Sequence, residues 1–148
     1  MKKRFTLIPA GVLIIFISFY NISCNKTTES LKPKEELILG RWSINRVQLR
    51  IYNNGVFTRD SIIPLVKQDN YVVFGTTNGS FAYRFNTSGP ENGTYQWSGS
   101  DSVLISSSKG NYSWKKLTLT DVLFTVMNKT TDPSLPGATI EVYQTFVR

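Results

Sequence analysis

With 148 residues, one cysteine and no histidine, the chain suits a single domain, cannot close an internal disulfide, and lacks both the usual base for a Ser or Cys nucleophile and the commonest zinc ligand. Its formal charge of +7 falls to +4, from 14 basic and 10 acidic groups, once Lys2, Lys3 and Arg4 are set aside as part of a leader. The remaining Lys and Arg are scattered singly apart from Lys115-Lys116, which reads as a solvated face and excludes a nucleic-acid partner.

The basic head Met1-Lys2-Lys3-Arg4 is followed by an apolar run over residues 5–20, interrupted only by Thr6, Pro9, Gly11 and Ser18. This is the n-region and h-region of an export signal, short for a membrane span. Asn21-Ile22-Ser23-Cys24 then resembles a bacterial lipoprotein lipobox, with Ser23 as the small residue before the cysteine and Asn21 where Leu is preferred. The resemblance implies a signal peptide over 1–23, lipidation of Cys24, and a membrane partner reached through that anchor, in the bacterial envelope at the outer membrane. Residues 24–36 carry almost nothing apolar and read as a flexible tether, with Pro33-Lys34-Glu35-Glu36 able to open one helical turn that serves as a collar.

From Leu37 the apolar period becomes two, so 37–148 is expected to be one all-β domain. In 37–52, Trp42 and Ile44 keep one phase while Val47, Leu49 and Ile51 keep the other; a bulge near Asn45-Arg46 explains the switch. Asn53-Asn54-Gly55 predicts a tight hairpin into a strand over 56–63, which Pro64 ends. Further strands are expected at 71–74, at 80–85 after Asn78-Gly79, at 94–97 after a turn over 90–93, and at 102–106, 112–120 and 122–128. A last strand at 138–146 follows the breaker that begins Asp132-Pro133. Eight or nine short strands joined by tight turns predict an up-and-down antiparallel barrel of about eight strands.

Gly40-Arg41-Trp42 at the start of the first strand resembles the G-x-W of lipocalins, in which the tryptophan plugs the closed end. The order of this motif, the segment 69–74, Gly93-Thr94-Tyr95, the segment 114–119 and the closing segment 141–148, with Cys24 upstream, is similar to the lipocalin-like domain of Bacteroidetes lipoproteins. That resemblance implies a lipocalin-like barrel whose interior takes a small apolar or amphipathic molecule, although the domain is shorter than a typical ligand-carrying lipocalin and has no cysteine pair.

No catalytic residue, metal ligand or cofactor is assigned, and the chain reads as a non-enzyme. Asp60, Asp69, Glu91, Asp101, Asp121 and Glu141 fall mostly where acidic turn-formers belong. Strand alternation instead turns aromatic rings inward: Phe81, Tyr83, Phe85, Tyr95, Trp97 and Trp114 are the candidate ligand-lining residues, and Trp42 is assigned to the structural plug. The alternative is that these rings fill the barrel, leaving a structural or protein-interaction module of the envelope. Asp60-Ser61-Ile62 and Asp101-Ser102-Val103 resemble the Asp-Ser/Thr-aliphatic acceptor of Bacteroidetes O-glycosylation, which implies Ser61 and Ser102 as acceptors. Ligand identity, leaflet and oligomeric state stay open at this level.

Overall fold

The computed structural model describes residues 32–65, 69–76, 79–131 and 134–148, in which nine antiparallel strands follow one helical turn, α1 (Lys34–Leu37). The strands are β1 (Gly40–Asn53), β2 (Val56–Ile63), β3 (Tyr71–Phe74), β4 (Ser80–Arg84), β5 (Glu91–Ser98), β6 (Ser102–Ser107), β7 (Gly110–Leu119), β8 (Leu123–Thr131) and β9 (Ala138–Val147). Eight of them close a ring in the order β1-β3-β4-β5-β6-β7-β8-β9, with β9 pairing back onto β1. The expected all-β up-and-down barrel is therefore the fold. The leader, Cys24 and the first part of the tether lie outside the described residues, as do Asn78 and Asp132-Pro133.

The ring closes because β1 bends. Its pairing with β9 slips between Ile44 and Arg46, so Asn45 is the extra residue of a bulge, and Trp42, Ile44 and Val47 all end up buried. The bulge also lets one strand serve two neighbours on its other edge. Gly40–Ser43 pair with β3, whereas Val47–Asn53 pair with β2. The segment 56–63 is thus a strand, but it peels away from the ring and hydrogen-bonds to β1 alone. Asn54 and Gly55 turn β1 into β2 with φ of 49° and 80°, the two positive angles that a two-residue hairpin needs.

Two strand starts differ by three residues from the sequence reading. The first strand begins at Gly40, not Leu37, because Leu37 and Ile38 are drawn into the collar, where both are buried. β5 begins at Glu91, so residues 91–93 are strand and the reversal lies in 85–90, where Asn86 has φ 49° and the Ser88 amide donates to the Phe85 carbonyl at 3.1 Å. Gly93 can extend in this way because it has no side chain: a Cβ there would strike the Ser106 carbonyl of β6.

The α1 end of the barrel is capped and closely packed. Trp42 is wholly buried, donates its Nε1–H to the Ile38 carbonyl at 2.8 Å, and sets its ring 5.8 Å from Phe124. The Arg148 guanidinium lies 3.9 Å from the centroid of the Trp42 ring, over its face, and donates to the Leu37 and Leu39 carbonyls. The chain's last residue thereby clamps the collar over the plug. Around it Phe74, Phe124 and Phe146 are at most 1% exposed, and Phe81 and Trp114 are 3% exposed. Trp42, assigned to the plug from the sequence, lies buried beneath the collar at this end.

Candidate functional site at the open end of the barrel

The inward-facing residues at the centre of the α1 half, Ile38, Trp42, Phe74, Phe124 and Phe146, are sealed, whereas Tyr95, Trp97 and Leu119 at its rim are partly buried, as are Leu49, Tyr83, Phe85, Tyr112 and Val142 toward the opposite end. Ile63 and Leu65, where the chain leaves β2, pack on the core beside them. The solid half is an aromatic stack centred on Trp114, whose ring centroid lies 5.6–6.4 Å from Phe146, Phe74, Phe81, Tyr83 and Tyr112.

The six candidate lining residues all face inward, but they divide between the two halves. Phe81 and Trp114 belong to the solid stack. Tyr95 sets its edge against Phe74 at 4.9 Å and points its hydroxyl to the Gly75 carbonyl, on the capped side. Trp97 is capped as well, because the Lys34 ammonium of α1 lies 4.4 Å over its ring and also donates to the Gly99 carbonyl. Tyr83 and Phe85 alone of the six stand toward the open end.

Between the solid stack and the mouth lies a polar layer that the sequence reading did not assign. Glu91, read there as an acidic turn-former, starts β5 directly opposite Tyr83 and therefore faces inward, 4% exposed. Its Oε1 accepts from the Tyr112 hydroxyl at 2.7 Å and from the Ser107 hydroxyl. Across the barrel, Gln144 of β9 donates its Nε2–H to the Tyr83 hydroxyl at 3.1 Å, while its Oε1 is buried without a partner. The signal for Glu91 was its phase: Glu91, Gly93, Tyr95 and Trp97 alternate on one face. Gln144 likewise shares the face of Val142 and Phe146.

This layer holds its phenols un-ionised. Burial pushes the Tyr83 hydroxyl up to about 12, with the Glu91 charge adding to the rise and the Gln144 bond opposing it. Burial also raises Tyr112, reinforced by its hydrogen bond to Glu91 and by that carboxylate's charge. Both rings can therefore hydrogen-bond at neutral pH without adding charge.

One hollow, of about 640 Å³, runs over the outer wall of β5–β7 and is lined mainly by outward residues such as Thr94, Gln96, Leu104 and Ser113. Another, of about 300 Å³, lies between the start of β9 and the β1–β2 hairpin, lined by Ile51 and Ala138, which share the inward phase of Leu49 and Val142, with Thr58, Arg59, Leu135 and Pro136. The two candidate acceptors also differ in setting: Ser61 is exposed on β2, whereas Ser102 is half-buried at the start of β6. No known protein family matches the chain, and no curated protein matches it.

Proposed function

We propose that this chain is a lipid-anchored envelope protein, similar to lipocalin-like lipoproteins, whose barrel binds one small amphipathic molecule at its open end without enzymatic turnover. The observation that carries this reading is the contrast between the two ends of the barrel. A barrel built only to be filled has no reason to close one end with Trp42, Arg148 and α1 while leaving Leu49, Phe85 and Val142 uncapped and partly exposed over a buried polar layer at the other. The ligand's apolar part rests on Leu49, Phe85 and Val142, and its polar part meets the layer beneath. The solid stack below limits its depth, so the ligand is held at the mouth.

A lipid on Cys24 would also orient the barrel. The chain reaches the collar at Lys32, which pairs with Asp121 at 3.6 Å on the capped side. Lys32 is eight residue steps beyond Cys24, a reach of at most about 29 Å. The capped end then stands nearer the membrane and the mouth faces away from it.

The test is a titration of the purified protein with an uncharged environment-sensitive probe, N-phenyl-1-naphthylamine. Saturable binding is expected in the wild type, a loss of at least about tenfold in Val142→Trp, which blocks the mouth, and no change in Leu104→Arg, which alters the outer hollow. Absence of saturable binding, or sensitivity to Leu104→Arg alone, would overturn the reading.

A second reading, an interaction module, is favoured by one feature. β2 pairs with a single neighbour, and Val56, Phe57 and Ile62 are 69%, 54% and 59% exposed, so this strand can add a partner strand along its open edge.

A further inference from the structure

We propose that the polar layer is a head-group site for a protonated primary amine, so that the ligand held at the mouth is an amphipathic ammonium compound. This inference rests on the mouth being the binding site and adds the chemical class of what it takes.

The first observation is a buried carboxylate without a counter-charge. Among the described residues the ion pairs are Lys32–Asp121, Lys34–Glu35, Arg41–Asp69 and Arg84–Asp69, and Glu91 is in none of them. The inward, half-buried Lys116 lies toward the capped end, where its amide meets the Asp101 carbonyl. Glu91 is satisfied only by neutral hydroxyls, and both of these converge on Oε1. Buried carboxylates are ordinarily neutralised by a cation, and among the described residues none is supplied to it.

The second, independent observation is the Oε1 atom of Gln144, a buried acceptor with no donor. Leaving such an atom bare is unfavourable, and a ligand carrying N–H groups would relieve it. Both acceptors flank Tyr83: Glu91 is its register partner on β5, and Gln144 bonds its hydroxyl. A primary ammonium has three donors, enough for the carboxylate, the amide oxygen and one hydroxyl.

The third is the surrounding surface. The Tyr83 and Tyr112 rings stand 5.9 and 6.0 Å from Trp114, so the site beside Glu91 is walled by π faces and edges. Such rings attract a cation more strongly when it is desolvated. The same layer disfavours a fatty acid, because its carboxylate would be buried next to that of Glu91.

The experiment is calorimetry of the full-length protein with octylamine, octanol, octanoate and octyltrimethylammonium. At neutral pH octylamine is expected to bind at least about tenfold more tightly than each of the other three, with the trimethyl compound penalised because it has no N–H for Gln144. Glu91→Gln keeps the shape and an acceptor for Ser107 and Tyr112, and should remove the preference over octanol. Tyr112→Phe, which removes a donor but no charge, should retain the preference and guards against misfolding of the first variant. Equal affinity for amine and alcohol, a preference for octanoate, or undiminished preference in Glu91→Gln would overturn the amine proposal while the neutral probe still binds. Failure of the neutral probe itself would instead overturn the binding mouth.

Discussion

Trp42→Ala is expected to unfold the barrel, or to lower its melting temperature by roughly 10–25 °C, followed by circular dichroism. Truncating a buried aromatic residue costs about 3–5 kcal/mol, a large part of the total stability of a domain this size. At this position the loss spreads beyond the cavity. The Ile38 carbonyl loses the indole N–H that it accepts, and the Arg148 guanidinium loses the face on which it lies while holding the Leu37 and Leu39 carbonyls. Collar, plug and last strand therefore loosen together. Trp42→Phe keeps a ring against Phe124 but forfeits the hydrogen bond, so it should be the milder change. A melting temperature within about 2 °C of wild type for the alanine variant would show that the cap does not depend on this side chain.

The second large effect is one of location. Cys24→Ser is expected to move the protein from the membrane fraction to the soluble fraction and to abolish metabolic acyl labelling. A thioether-linked diacylglycerol with an amide-linked chain supplies two membrane-binding signals, enough for stable anchoring, whereas serine can carry neither thioether nor the processing that follows it. Folding of the barrel should be unaffected, because residues 34–148 contain its collar and all nine strands. Unchanged membrane partition of the variant, with no acyl label in the wild type, would contradict anchoring at Cys24.

Much of the barrel was legible in the chain because it rests on local rules. The phase switch at Asn45 is the observed bulge, Asn54-Gly55 is the observed hairpin, and the alternation of Phe81, Tyr83, Tyr95, Trp97 and Trp114 does turn them inward. What was hidden depends on partners distant in sequence. Nothing within 56–63 says that its strand leaves the ring; that follows from β1 being bent and long enough to hold β3 and β2 in succession. Nothing near Arg148 says that it caps Trp42. Glu91 was misread for a local reason: Pro90 before it and Asn92-Gly93 after it carry the composition of a turn, and only the close approach of β6 to Gly93 makes them strand. The division of the aromatic residues into a solid half and an accessible half was likewise invisible, because alternation fixes a face but not a height along the barrel axis.

The central claim is that the mouth holds a small amphipathic molecule, and native mass spectrometry of the protein isolated from the cells that make it tests this most directly. The expected spectrum carries a non-covalent adduct of one small molecule beyond the covalent mass of the protein, shed on mild activation and absent or reduced in Val142→Trp. A spectrum showing only the covalent mass, with no adduct formed when octylamine or the neutral probe is added in excess, would contradict it.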